Sequence, residues 1–269
     1  MHSRSATALR LEIEHKLVQS FPAALTPAQP ALLETVSTGI AKLDLMLGGG
    51  LPIGAISEVN GPASSGRTSL ILSFLAQRSA DGEVCAWVDV GDAFAPESAA
   101  ASGLNLRQLL WVRCTGNEAT AKRKQVTKPW TKLDHALRAT DLLLQAGGFA
   151  AIVLDMGDTS AEHTCRIPLA TWFRFRQAAN RTRTCLVLLA QAGAKQSIAQ
   201  SSAAIVLECS VLSPKIVGGT ILNGFHFEVR SERQRLTQFD VRQKKPPASA
   251  WLTSCAWDVE QARMTEQSA

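Results

Sequence analysis

The residues from 55 to 77 constrain the fold most, because they have the pattern of a strand, a glycine-rich turn and a helix in direct succession. Ala55–Asn60 is short and mostly apolar, Gly61–Gly66 (GPASSG) is a flexible loop, and Arg67–Gln77 has helical apolar periodicity. Such a loop points successive backbone N–H groups, and the positive end of the helix dipole, at one place. The sequence therefore predicts an anion-binding loop suited to a phosphate.

One residue departs from the phosphate-loop pattern G-x-x-x-x-G-K-[ST]. Gly61, Gly66 and Thr68 stand at its fixed positions, but Arg67 replaces the lysine. The lysine contributes a compact charge that reaches the β- and γ-phosphates, whereas arginine is planar, longer and bulkier. We expect a phosphate loop here, and we expect the arginine to alter its working.

Size and composition are those of a globular protein. The 269 residues are 46% hydrophobic and 19% charged, which suits one large core or one domain with appendages. No apolar run is long enough to cross a bilayer, and the polar start is not a secretory signal. The six cysteines are scattered, which favours reduced, buried thiols in a cytoplasmic protein over a zinc site. The formal charge of +5 permits an anionic partner without requiring one.

The N-terminal segment Ser5–Phe21 has apolar residues at helical spacing, and three prolines follow it. This pattern predicts a helix on a proline-rich linker, which packs either on its own core or on a neighbouring molecule. We accordingly divide the chain into the helix and linker (1–33), a core (34–245) and a C-terminal tail (246–269).

Short apolar segments alternate with helical ones along the core. The predicted strands are Glu83–Val90, Leu109–Cys114, Ala150–Asp155, Thr184–Gln191, Ala203–Glu208, Phe225–Arg230 and a stretch near Leu236–Val241, and the predicted helices are Thr131–Gln145 and Pro168–Asn180. Because most strands are apolar on both faces, the sequence predicts an α/β fold with a central, mostly parallel sheet flanked by helices. Ligand sites in such sheets lie beyond the carboxyl ends of the strands, so Gly61–Thr68, Asp92, Asp155 and Gln191 should gather there.

Two motifs carry a resemblance to a known family. T-G-x-x-x-L-D-x-x-L-G-G-G-L-P-x-G at Thr38–Gly54, with the loop that follows it, resembles the RecA/KaiC-type ATPase core. The continuation through Cys85–Asp89, Ala93–Pro96 and Ser102–Leu110 is closer to bacterial RecA, and the similarity runs from about Glu34 to about Arg242. The resemblance implies a RecA-like P-loop NTPase core.

The resemblance also implies roles for particular residues, with ATP and Mg²⁺ as the cofactors. Thr68 would direct its hydroxyl toward Mg²⁺, Asp155 would hold the metal through water, and Gln191 would sense the γ-phosphate. The alternative for Asp155 is an acid that ends a strand by chance or caps a turn, and the alternative for Gln191 is an ordinary polar strand end. The residues that would cradle the phosphates are Gly61, Ser64, Ser65, Gly66, Arg67, Thr68 and Ser69.

Three departures from RecA affect the same reaction. Gly91 stands at the position of the glutamate that activates the attacking water, and losing a general base lowers rates by about 10²–10⁴-fold. Asp92, one residue further, is a substitute base only if the turn re-aims it. RecA's adenine-stacking tyrosine falls at Ser98. Together with Arg67, these changes predict ATP hydrolysis that is weak or absent.

The features for DNA binding are equally reduced. The connections that correspond to RecA's DNA loops, Met156–Ile167 and Ala192–Ser202, are shorter and lack a base-stacking composition. Three basic clusters elsewhere either contact phosphates or are ordinary solvated charge. They are Lys122, Arg123, Lys124 and Lys128; Arg174, Arg176, Arg181 and Arg183; and Arg242, Lys244 and Lys245. Trp130, Trp251 and Trp257 either stack on bases or anchor the core or a partner.

Three functions follow from these patterns. The first is a RecA-like DNA-repair accessory with a degenerate ATP site, which resembles the ImuA type of translesion-synthesis (SOS mutagenesis) factor. Its partners would be RecA or a translesion-polymerase assembly, with single-stranded DNA and self-association also open and no membrane involved. The second is an active DNA-dependent ATPase or recombinase in which Arg67 and Asp92 have taken over the missing roles. The third is a scaffold that binds no nucleotide.

Overall fold

The computed structural model describes residues 33–114, 129–157, 159–191, 197–217, 221–234 and 248–254. The predicted N-terminal helix, the strand near Leu236–Val241, and the basic clusters at 122–128 and 242–245 lie outside these residues. The predicted domain boundaries therefore stay predictions.

The described chain forms ten strands and six α-helices. The strands are β1 (Thr35–Val36), β2 (Leu51–Pro52), β3 (Ile56–Gly61), β4 (Cys85–Asp89), β5 (Leu109–Arg113), β6 (Ala151–Met156), β7 (Cys185–Gln191), β8 (Ala203–Val217), β9 (Ile221–Gln234) and β10 (Ala248–Ser254). The helices are α1 (Ala41–Leu47), α2 (Arg67–Ala80), α3 (Pro96–Ala101), α4 (Pro129–Ala146), α5 (Ala161–Thr164) and α6 (Leu169–Thr182).

Eight of these strands form one sheet in the order β10-β9-β8-β3-β7-β6-β4-β5. The six strands from β8 to β5 run parallel to one another, whereas β9 and β10 are antiparallel to their neighbours. The predicted α/β fold with a mostly parallel central sheet is therefore confirmed. Strands β1 and β2 form a separate small antiparallel pair.

Both faces of the parallel part are covered by helices, which is why its central strands are mostly apolar. On one face, Phe74 of α2 and Leu43 of α1 pack in a cluster with Val59 of β3. On the other face, Leu133 of α4 and Trp172 of α6 pack in a second cluster. None of the helices described here combines the length and the apolar character that crossing a bilayer requires.

The T-G-x-x-x-L-D motif has a structural explanation in this fold. The carboxylate of Asp44 accepts hydrogen bonds from the backbone N–H and the hydroxyl of Thr38, at 2.8 and 2.7 Å, and from the hydroxyl of Ser37 at 2.6 Å. These bonds tie the turn before α1 to the helix itself. They thereby set the path by which the chain enters β2 and β3.

The structure differs from the sequence prediction most in the antiparallel part of the sheet. Strands predicted at Ala203–Glu208 and Phe225–Arg230 extend to Val217 and over Ile221–Gln234. The edge strand β10 lies in the segment predicted as a tail. Helix α4 begins at Pro129 rather than Thr131, because proline is well suited to the first turn of a helix.

Candidate functional site

The carboxyl ends of the parallel strands meet at one edge of the sheet, where a cavity of about 330 Å³ opens. Arg67 and Thr68 line it from α2, Asp89 and Gly91 from the end of β4, and Asp155 from β6. Of the predicted site residues, Arg67, Thr68 and Asp155 thus line the same cavity. Asp92 and Gln191 are not among the residues that line it.

The predicted phosphate loop has the expected geometry. Strand β3 ends at Gly61, and α2 begins directly after Gly66, which has a left-handed φ of 84°. Leu70 donates to the carbonyl of Gly66 at 2.9 Å, so the N–H groups of the preceding turn have no acceptor within the helix. Ser64 is exposed with a φ of 61°, and Ser65 is buried. The loop is therefore built to receive an anion.

One aromatic ring closes the loop from the side. A Cβ on Gly66 would lie 2.7 Å from the ring of Phe227 in β9, so the ring packs directly against the loop backbone. Phe227 in turn lies 5.3 Å from the ring of Trp251 in β10, which is half-buried against the core. Of the two alternatives for Trp251, this contact favours the core anchor. The antiparallel strand β9 thus packs against the loop that follows the parallel strand β3.

The side chain of Arg67 turns back onto the ends of the strands. Its Nη1 donates to the carbonyl of Gly61 at 2.6 Å and to that of Ala190 at 2.7 Å, and its Nη2 donates to the carbonyl of Gly157 at 3.3 Å. These three carbonyls belong to the ends of β3, β7 and β6, which are neighbours in the sheet. The guanidinium therefore lies across the strand ends, bonded to main-chain oxygens.

Asp155 lies beside this guanidinium. Nη2 of Arg67 and Oδ1 of Asp155 are 2.8 and 3.0 Å from the point that a Cβ on Gly157 would occupy, so cation and carboxylate are neighbours. The same Oδ1 accepts a hydrogen bond from the N–H of Gly157 at 2.9 Å. The position predicted to hold a metal through water thus has an organic cation next to it.

These contacts test whether the residues fit a Mg–ATP complex. The N–H groups of the loop, the exposed Thr68 and the half-buried Ser69 suit a phosphate. The guanidinium next to Asp155 does not suit a divalent cation, because two positive charges at one carboxylate repel each other. Gly91 offers no side chain at the base position. The site fits an anion and does not fit the metal.

A buried acid organises the wall formed by β4, a role that the sequence analysis missed. Asp89 is fully buried and accepts hydrogen bonds from the N–H groups of Ala93 at 3.1 Å and Phe94 at 2.9 Å, and from the indole of Trp111 at 3.3 Å. It thereby folds the turn that contains Gly91, and it places Phe94 4.9 Å from the ring of Trp87. The sequence feature that could have indicated this role is an acid at the end of an otherwise apolar strand.

Asp92 points away from the cavity. Both of its oxygens accept hydrogen bonds from the guanidinium of Arg113, at 2.7 Å each, and it has a left-handed φ of 59°. Hydrogen bonding to Arg113 lowers the pKa of Asp92 below its ordinary value. The turn therefore re-aims this side chain toward the end of β5, and not toward the position of a substitute base.

Gln191 is exposed at the end of β7, and residues 192–196 lie outside the described part of the chain. The segment after them is held by Glu58, a fully buried carboxylate of β3 that the sequence analysis also missed. Glu58 accepts hydrogen bonds from the hydroxyl of Ser197 at 2.6 Å and from the N–H groups of Ile198 and Ala199 at 2.9 and 3.1 Å. The sequence feature that could have indicated this role is an acid inside an apolar strand, because a buried charge needs hydrogen-bond partners.

Two of the four arginines in the basic cluster at α6 and its C-terminal end form ion pairs. Arg174 pairs with Asp141 of α4 at 3.2 Å, and Arg183 pairs with Glu34 at 2.5 Å. Arg176 lies over the ring of Phe173, 5.1 Å from its centre. These contacts favour the interpretation of solvated surface charge over a phosphate-binding patch.

The described cysteines carry free thiols, four of them buried. Burial raises the pKa of the Cys85, Cys185 and Cys209 thiols to about 12 and that of Cys114 to about 11. Thiols with such pKa values stay protonated at neutral pH and are poor nucleophiles. They act as small apolar core residues.

Comparisons with known proteins identify the family of the chain. The sequence profile of the RecA N-terminal domain matches residues 6–203. Protein RecA of Colwellia psychrerythraea is 37% identical over 124 residues, and Protein RecA of Allorhizobium ampelinum is 40% identical over 124 residues. Each alignment covers 46% of this chain but only 31% and 30% of these relatives, respectively.

A solved structure shares the fold as well. The crystal structure of the RadB recombinase matches with a TM-score of 0.55 and 19% sequence identity. The match covers 80% of this chain and 94% of that one. At this level of identity the likeness concerns the fold alone.

Proposed function

This chain belongs to the RecA family, and from that premise we propose that it is a DNA-repair accessory of the translesion-synthesis type whose ATP site no longer drives turnover. In this role it resembles the ImuA-type factors. Its partners are RecA or a translesion-polymerase assembly, with single-stranded DNA as a further ligand, and its compartment is the cytoplasm, where free thiols persist.

The observation that carries the proposal is the position of Arg67. RecA-family proteins generally bind ATP with Mg²⁺, and the phosphate-loop lysine of such sites reaches the β- and γ-phosphates. Here the replacing side chain donates to the carbonyls of Gly61, Ala190 and Gly157. The fold is retained and the group that would contact the transferred phosphate is committed to the main chain, which supports binding functions over turnover.

Two further contacts support the same proposal. Gly91 lines the cavity where the water-activating glutamate is expected, and Asp92 is bonded to Arg113 outside it. The edge strand β5 pairs only with β4 among the described strands, and Leu110 on it is 43% exposed. This edge and the N-terminal helix are the two proposed partner surfaces.

ATP hydrolysis with and without single-stranded DNA tests the loss of turnover. The expected rate of the full chain equals that of its Asp155→Ala variant in both conditions, with a RecA protein as the positive control. Turnover that DNA stimulates and that Asp155→Ala abolishes would favour the runner-up, an active DNA-dependent ATPase. The exposed Thr68 and the formed loop are the observations that keep this runner-up open.

Partner binding is tested separately. The full chain should retain RecA or a translesion polymerase in a pull-down, and should do so equally as wild type and as Asp155→Ala. Deleting residues 1–30 should remove that binding if the N-terminal helix is the contact. Normal retention by the deleted chain would reject the helix as the contact and leave the β5 edge.

A further inference from the structure

We propose that the guanidinium of Arg67 is the resident cation of this site, standing in for both the phosphate-loop lysine and Mg²⁺. The chain would then hold its phosphate loop in the formed state with no divalent metal, and would bind phosphate groups independently of Mg²⁺. The inference deepens the proposed degenerate ATP site and does not depend on any partner.

The hydrogen bonds of Arg67 carry the first step of this argument. A guanidinium has five N–H donors in a rigid plane, and here Nη1 and Nη2 are bonded to the carbonyls of Gly61, Ala190 and Gly157. Carbonyls at the ends of three parallel strands form an electronegative edge, which the positive charge stabilises. Lysine, a compact charge with three donors, does not match three acceptors spread along this edge.

The neighbouring acid carries the second step. Asp155 is the only carboxylate among the residues that line the described cavity besides Asp89, whose oxygens accept from Ala93, Phe94 and Trp111. Nη2 of Arg67 and Oδ1 of Asp155 both lie within 3.0 Å of one point above Gly157. A positive charge of the protein therefore lies close to the place that a metal at Asp155 would occupy.

Water or a metal ion would not easily replace the guanidinium of Arg67. Displacing the guanidinium would remove the hydrogen bonds that it donates to the carbonyls of Gly61 and Ala190, at the ends of neighbouring strands. No group of three or more histidine, cysteine or acidic side chains with metal-binding geometry occurs in the ranges that the structure describes. Mg²⁺ would thus have to displace a cation that is hydrogen-bonded to three main-chain carbonyls.

Binding of Mn²⁺, a paramagnetic probe of Mg²⁺ sites, tests the inference on the full chain by electron paramagnetic resonance. The wild-type chain should show no saturable Mn²⁺ binding, with or without a non-hydrolysable ATP analogue. Arg67→Lys should gain saturable Mn²⁺ binding, with an apparent affinity at least tenfold higher than that of the wild-type chain. Asp155→Asn in that background should remove this binding. Arg78→Lys, on the same helix but paired with Asp81 and Glu83, is the matched control and should change nothing.

Saturable Mn²⁺ binding by the wild-type chain that Asp155→Asn abolishes would overturn the inference, as would an Arg67→Lys chain that is folded and gains none. If Arg67→Lys does not fold, pyrophosphate binding to the wild-type chain decides. Affinities in EDTA and in Mg²⁺ that agree within twofold support a resident cation, and a tenfold gain with Mg²⁺ refutes it. These outcomes involve no partner and no turnover, so they are distinguishable from failure of the proposed function.

Discussion

The two sides of the cavity hold their charged groups in different ways. On the inner side, Arg67 and Asp89 of the cavity wall and the nearby buried Glu58 are bonded to main-chain groups of strand ends and of adjoining segments. On the rim, Asp92 and Arg113 are bonded to each other and are partly exposed to solvent. The inner charges therefore determine the path of the backbone, whereas the rim pair joins two side chains to each other. This difference indicates how the edge keeps its shape with Gly91 at the position predicted for a catalytic base.

The largest expected effect is the loss of Glu58. Glu58→Ala would leave the buried N–H groups of Ile198 and Ala199 without an acceptor, which should lower the free energy of unfolding by about 4 kcal/mol. Urea unfolding measures this. Glu58→Gln keeps one acceptor and should lose less than half as much. Glu83→Ala, which removes an exposed acid, should lose under about 0.5 kcal/mol, and an equal loss for Glu58→Ala would contradict the comparison.

Asp89 and Asp92 provide a matched pair from one turn. Asp89→Ala would remove the acceptor for the N–H groups of Ala93 and Phe94 and should lower the free energy of unfolding by about 3 kcal/mol. Asp92→Asn, which suits the same left-handed φ of 59°, removes the charge of the exposed pair with Arg113 and should lower it by less than about 1 kcal/mol. The near-ultraviolet signal of Trp87 and Trp111 should change in the first variant only. Equal losses in the two variants would show that burial does not separate the two sides.

Gly66 tests the contact between the loop and the antiparallel strands. Gly66→Ala would place a methyl group 2.7 Å from the ring of Phe227 at a φ of +84°, and should lower the free energy of unfolding by about 3 kcal/mol. Gly82→Ala is the control, since Gly82 has a similar φ of +79° with nothing within 4 Å. It should lose only about 1 kcal/mol from backbone strain. Phe227→Leu added to Gly66→Ala should recover the difference between the two glycines, and no recovery would argue against the contact.

The parallel part of the fold could be predicted because its strands are apolar runs that end in turn residues. Strands β4, β6 and β7 begin and end within two residues of their predicted limits. The outer halves of β8 and β9 could not be predicted, because polar residues interrupt their apolar pattern and β8 contains Pro214. These strand segments are defined by their pairing in the sheet, β8 with β9 and β9 with β10. Local sequence periodicity does not contain information about that pairing.

The site shows the same limit at the level of single side chains. The sequence predicts the loop Gly61–Thr68 and the acid Asp155 at one edge, since both follow from strand ends. It does not predict that Arg67 turns inward, because the three acceptors lie on strands that are far apart in the sequence. Nor does it predict the partner of Asp92, since Arg113 is 21 positions away on another strand.

The smallest expected effect belongs to the rim pair, and its pH dependence sharpens the comparison. Hydrogen bonding to Arg113 lowers the pKa of Asp92 in the folded state, so the pair stabilises the protein at pH values above the ordinary carboxyl pKa of about 3.9. That contribution is lost as the pH falls through the lowered value. Arg113→Ala should therefore reduce stability by less than about 1 kcal/mol at pH 7, and this loss should become smaller as the pH falls below about 3.9. Carboxyl carbon NMR titration should show the pKa of Asp92 rising toward its ordinary value in Arg113→Ala. A pKa of Asp92 that does not change in this variant would mean that the inner charges, and not the rim partner, determine its ionisation.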